Sequence, residues 1–145
     1  MTEPIIARAS TVVDAPIAKV WEAFVTPALI KQYMFGTNVT SSWKPGSPIQ
    51  WQGEWEGRAY VDKGTILDCQ APRLLRYTHF SPLMGLPDAP EHYHTVTVLL
   101  SEDGSKTRVS LTQDNNPTED ARQHNEQGWS MMLDGLKKLL ERRPG

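Results

Sequence analysis

Between Ile5 and Val13 a run of β-branched and small residues predicts a strand, and Asp14-Ala15-Pro16 after it predicts a helix start. Ile17, Val20, Trp21, Phe24 and Val25 then recur at i, i+3, i+4, i+7 and i+8, the apolar stripe of an amphipathic helix. Thr26-Pro27 interrupts that stripe. Threonine caps helices well and proline suits a first turn, so a second short helix is expected from Thr26 to about Tyr33.

From Gly36 to Phe80 the period changes to two, punctuated by Gly46, Gly53, Gly57, Gly64 and Pro72, which predicts strands. Ile49, Trp51 and Gly53 alternate with Gln50 and Gln52, and Leu75, Tyr77 and His79 alternate with Arg76 and Thr78, so each strand presents one interior face. His92 to Ser101 and Lys106 to Asp114 read as a hairpin around a central Asp103-Gly104. In that register His92, His94, Val96, Val98 and Leu100 share a face, as do Val109, Leu111 and Gln113. The stretch 81–91 carries four turn-forming residues, Pro82, Gly85, Pro87 and Pro90, and is expected to be a loop. Its Leu83, Met84 and Leu86 either pack into the core or lie over a cavity mouth as a lid.

Asn116-Pro117-Thr118-Glu119 predicts a helix start with Asn116 as the cap, and the helix should run to about Glu141. Ala121, Trp129, Met132, Leu133, Leu136, Leu139 and Leu140 form its stripe, wide enough to cover a sheet. Gly128 inside it costs roughly 1 kcal/mol relative to alanine, a loss that close backbone approach or open space beside a cavity would offset. The predicted order is β-α-α-β-β-β-β-β-β-α. That is an α+β fold, with an antiparallel sheet and its helices on one side.

Length and composition fit one domain over residues 1–145. No apolar run approaches the roughly 20 residues that span a bilayer, and the N-terminus shows no secretory leader, so a cytoplasmic protein is expected. Under that expectation the glycosylation pattern Asn38-Val39-Thr40 has no consequence. A net charge of −2 with scattered basic residues argues against nucleic acid as a partner. Lys137, Lys138, Arg142 and Arg143 suit the C-terminal end of a helix dipole. Cys69 stands alone, which excludes an internal disulfide and any multi-cysteine metal site.

Two end segments carry a family resemblance. The run from Asp14 through Val20-Trp21-Glu-Ala-Phe24 to Ile30 resembles the opening helix pair of the START-like, or SRPBCC, superfamily. His124-Asn-Glu-Gln-Gly128-Trp129, followed by Leu133 and Leu136, resembles the C-terminal helix of its branch named after the activator of heat-shock protein 90 ATPase. Pro72-Arg73-Leu74 before a short aromatic strand fits as well. The resemblance covers nearly the whole chain. It implies a helix-grip fold: a curved antiparallel sheet around a long C-terminal helix, with a deep cavity between them. Relatives bind lipids, sterols, hormones or polyketides, and some act as cyclases or hydrolases. Tyr33-Met34-Phe35 stands where many relatives carry a tryptophan, and His79 where an aromatic residue is common. The cavity lining should therefore differ from a relative's.

Candidate ligand-binding residues are Tyr33, Phe35, Trp43, Trp51, Tyr77, Trp129 and Met132, with His79, His94 and Gln113 as polar members. Trp21 and Phe24 read as plain core. His79 and His94 are the candidate catalytic residues, as proton acceptors. His92 and His94, two apart on a strand, share a workable spacing for metal ligands, with a third needed from His79, Asp88 or Glu91, and ordinary structural histidines are the simpler reading. No metal or other cofactor is expected. Glu54, Glu56 and Asp62, among glycines, read as exposed turns without a role. Nucleophile elbow, phosphate loop and dinucleotide fingerprint are all absent. The leading expectation is a binding protein for a small, mostly apolar, aromatic or lipid-like ligand. The alternatives are a cyclase- or hydrolase-type enzyme using a cavity histidine, and a module interacting with a chaperone or another protein.

Overall fold

The computed structural model describes residues 5–34, 36–55, 57–82 and 85–141. The elements follow in the expected order: β1 (Ala7–Val13), α1 (Ile17–Val25), α2 (Pro27–Tyr33), β2 (Asn38–Ser41), β3 (Pro48–Trp55), β4 (Arg58–Gln70), β5 (Leu74–His79), β6 (His94–Asp103), β7 (Lys106–Gln113) and α3 (Glu119–Glu141). The strands form one curved sheet in the order β1-β7-β6-β5-β4-β3-β2, every neighbouring pair antiparallel.

Alternation places the core. Val96, Val98 and Leu100 on β6 and Val109 and Leu111 on β7 are all buried, with Val98 opposite Leu111 and Leu100 opposite Val109. Val20, Trp21 and Phe24 of α1 and Met132, Leu133, Leu136 and Leu140 of α3 close the same cluster from the helical side. Leu133 and Leu136 are fully buried, each contributing about 2 kcal/mol of apolar transfer energy before ordering costs.

The side chains of α3 also seal an edge of the sheet. β1 pairs only with β7, and its other side would offer free backbone groups to another strand. Glu126 accepts from the Arg8 amide at 3.0 Å, Glu141 from the Asp14 amide at 2.8 Å, and Lys137 donates to the Val12 carbonyl at 2.7 Å. The helix is thus tied to the strand along three of its turns.

Several local expectations need correction. Asn116 does not cap α3: it is buried, its amide donates to the carbonyls of Ile5 and Gln113, and its Oδ1 accepts from Asn125. Thr118 is the cap, its hydroxyl accepting from the Ala121 amide at 3.0 Å. Thr26 makes no side-chain cap bond to α2, where Pro27 leaves one donor fewer to satisfy. The first hairpin strand runs two residues further than expected, to Asp103, which pairs with Lys106, so Gly104 takes the first loop position at φ 64°. His92 is not on β6. It ends a short 3₁₀ turn, Pro90–His92, because Pro90 has neither the amide nor the φ of a ladder position. Gly128 is exposed and a Cβ there would meet nothing within 4 Å. Gly135 is the glycine of α3 that passes a neighbour, since a Cβ there would lie 3.5 Å from Tyr33.

Candidate functional site

A cavity of about 800 Å³ opens between the sheet and the first turns of α3. β4 contributes Arg58 and Asp62, β5 His79, β6 His94, β7 Gln113, and α3 Ala121, His124 and Asn125. The 81–92 connection adds Ser81, Leu86, Glu91 and His92. All four histidines of the chain therefore line one space, although they come from four different segments.

Their hydrogen bonds fix two of the ring orientations. His79 Nε2 lies 2.9 Å from Asp62 Oδ2. A carboxylate only accepts, so Nε2 carries a proton, and in the neutral ring Nδ1 is the acceptor. His94 Nδ1 lies 2.9 Å from the Asp114 carbonyl, which also only accepts, so its Nε2 is the free nitrogen. The two rings lie 6.3 Å apart and are tilted 29°. Burial pushes the His94 pKa down, the nearby His79 adds to that, and the Asp114 carbonyl partly opposes it. His94 is thus held as a neutral imidazole. His92, at the rim, donates from Nδ1 to the Pro87 carbonyl at 2.8 Å.

Asp62 corrects the reading of its segment as an exposed turn. β4 alternates, with Tyr60, Asp62, Gly64 and Ile66 inward and Val61, Lys63 and Thr65 outward. The Asp62 carboxylate is 15% exposed, and its Oδ1 is buried without a hydrogen-bond partner among the described residues. Gly64 has to be glycine, since a Cβ there would lie 1.7 Å from the Thr78 carbonyl oxygen. Gly53 and Gly64 serve close packing between strands, while Gly57 lies between β3 and β4 at φ 79°, as a turn glycine does.

The expected lining residues divide between spaces. His79, His94 and Gln113 face the large cavity. Trp51, Tyr77 and Trp129 stand behind it, around a recess of about 80 Å³ that also reaches Asp62 and His79. Tyr33, Trp43 and Met132 border only a crevice of about 20 Å³ within the core, shared with Trp51, Tyr77 and Trp129. Tyr33 spends its hydroxyl on the Ala23 carbonyl at 2.6 Å, and burial pushes its pKa well up. Phe35, Leu83 and Met84 lie outside the described residues. Gln113 Oε1 accepts from the Trp129 indole, which links β7 to α3 at the cavity floor. Among the described residues no group of three or more His, Cys, Asp or Glu is arranged to hold a metal ion. Arg58, Asp62, Asn125 and His124 were not singled out for the site by sequence. For Asp62 the signal was there: two-residue spacing in phase with Ile66.

A strand-lined cavity beneath a C-terminal helix accords with the comparisons to known proteins. The family profile described as activator of Hsp90 ATPase homolog 1-like protein matches residues 14–141. The chain belongs to this family. The solved structure of ChR145 from Cytophaga hutchinsonii is 56% identical, with 97% of each chain covered and a TM-score of 0.85. CalU16 from Micromonospora echinospora is 24% identical over 97% of this chain and 87% of its own, with a TM-score of 0.73. The Aha1 dimer from Colwellia psychrerythraea is 19% identical over 97% and 99%, with a TM-score of 0.76. At those last two identities the likeness establishes fold alone. No curated protein matches the chain. Membership of the Hsp90 ATPase activator homolog-like family supports a ligand-binding or interaction module in general. No described helix is long and apolar enough to cross a membrane.

Proposed function

We propose that this protein, acting as a single START-like domain, binds a small organic molecule in the cavity between the sheet and α3. The observation that carries this is the cavity itself. Its volume of about 800 Å³ falls within the roughly 300–1,000 Å³ of small-molecule sites. The lining calls for an amphipathic ligand: an apolar body against Leu86, Pro117 and Ala121, and hydrogen-bonding groups toward His79, His94 and Asn125. Cys69, a half-buried free thiol that burial keeps protonated, suits a reducing compartment such as the cytoplasm. Titration with a panel of small aromatic amphiphiles, followed by amide chemical shifts, tests the proposal. Shifts should gather on His79, His94, Gln113 and Ala121. Shifts confined to the outer sheet face, around Val61 and Leu99, would sink it.

A second reading has its own support in the Asp62–His79 pair. A carboxylate that orients an imidazole and leaves its other nitrogen free is the usual arrangement of a general base. Under that reading the protein is a cyclase- or hydrolase-type enzyme. His79→Ala should then abolish turnover of a bound substrate while leaving its affinity within a few fold, and unchanged turnover would exclude His79 as the base.

A further inference from the structure

The recess of about 80 Å³ adjoins the cavity, and Asp62 and His79 border both spaces. One water needs roughly 10–15 Å³ by this measure, so the recess has room for a group the size of a methylated ammonium. Four aromatic side chains surround it: Trp51 from β3, Tyr60 from β4, Tyr77 from β5 and Trp129 from α3. The Trp51 and Tyr77 rings are 5.2 Å apart at 49°.

The Tyr60 ring is held in place. Gly53 stands opposite it in the register, and a Cβ there would lie 2.5 Å from the Tyr60 hydroxyl. That hydroxyl is bonded to Thr37 at 2.8 Å. No lysine or arginine lines the recess among the described residues.

Asp62 supplies the second, independent observation. One carboxylate oxygen accepts from His79, and the other is buried with no partner among the described residues. An unpaired buried carboxylate oxygen is costly unless something donates to it. Aromatic faces attract a cation, and a carboxylate beside them attracts it further.

We propose that the recess receives the cationic head of an amine ligand, an alkyl- or arylammonium, while the rest of the molecule lies in the larger cavity. This rests on the reading of that cavity as a ligand site. The four rings surround the charge, Asp62 supplies a carboxylate in the same lining, and Gly53 is glycine so that Tyr60 can complete the enclosure.

Calorimetric titration with benzyltrimethylammonium and with neopentylbenzene, its neutral isostere, tests the assignment. The folded protein should bind the cation at least about tenfold more tightly, equivalent to about 1.4 kcal/mol. Asp62→Asn should bring the two affinities to within about twofold of each other. Trp129→Leu keeps the carboxylate, removes one ring and should narrow the ratio by about threefold. It also carries the test if thermal unfolding shows that Asp62→Asn does not fold. Equal affinities that Asp62→Asn leaves unchanged would overturn the cation assignment and leave the cavity reading standing. Failure of both probes would also overturn it, and the amide-shift titration then decides the cavity reading separately.

Discussion

Asp62 on β4 and His79 on β5 meet at 2.9 Å at the junction of the cavity and its aromatic recess. The pairing dictates the tautomer of His79, since the carboxylate requires a proton on Nε2. His94, bonded through Nδ1 to a carbonyl, must hold its proton on Nδ1. Long-range proton–nitrogen correlation spectra of the neutral protein should therefore show His79 as the Nε2–H form and His94 as the Nδ1–H form. Finding the same tautomer for both would contradict the site geometry.

His94 also makes stability depend on pH. Its pKa is lower in the folded protein than the ordinary 6.5, chiefly through burial. The unfolded chain therefore takes up the proton more readily. The contribution of the neutral ring is fully present above the unfolded pKa, and stability falls as pH drops through 6.5 toward the folded value. The melting temperature should decrease between about pH 7 and pH 5, and less steeply in His94→Asn. Parallel curves for the two proteins would assign the dependence to other groups.

Two glycines should respond in opposite directions. Gly64→Ala drives a methyl into the Thr78 carbonyl, 1.7 Å away, and should cost about 3 kcal/mol. Gly128→Ala meets nothing, gains helix propensity and should add about 1 kcal/mol. Urea unfolding of both variants checks this, and a destabilised Gly128→Ala would mean that the exposed face of α3 has a contact of its own.

Asn116 joins the residues after β7 to the segment before β1 and to α3. Its side chain satisfies two carbonyls and one amide. Asn116→Ala removes all three bonds, the one to the Gln113 carbonyl buried and the others partly so, and should cost about 2 kcal/mol in urea unfolding. A neutral result would show that water replaces the side chain without loss.

The elements were legible because their signals are local. The α1 stripe, the β6 and β7 alternation and the stripe of α3 each lie within one segment, and the middle of each is buried while Ile17, Val25, Ala121, Trp129 and Leu139 are half-buried. The site was legible only in part. His79, His94 and Gln113 face the cavity because their strands alternate, and alternation can be read locally. Asp62 was obscured by its glycines, which resemble turn residues. Gly53 and Gly64 instead answer Tyr60 and Thr78 on neighbouring strands. Tyr33 and Met132 face the core because of how α2 and α3 sit on the sheet, a tertiary relationship. The gathering of His92 and His124 around one space depends equally on the assembled fold.

The central claim is that the cavity under the first turns of α3 holds a small molecule. Native mass spectrometry of freshly purified protein beside Ala121→Trp, whose indole would occupy that cavity, tests it most directly. The account predicts a retained small-molecule adduct on the natural sequence and its loss from the variant. An adduct of equal occupancy on both would place the ligand elsewhere and contradict the account.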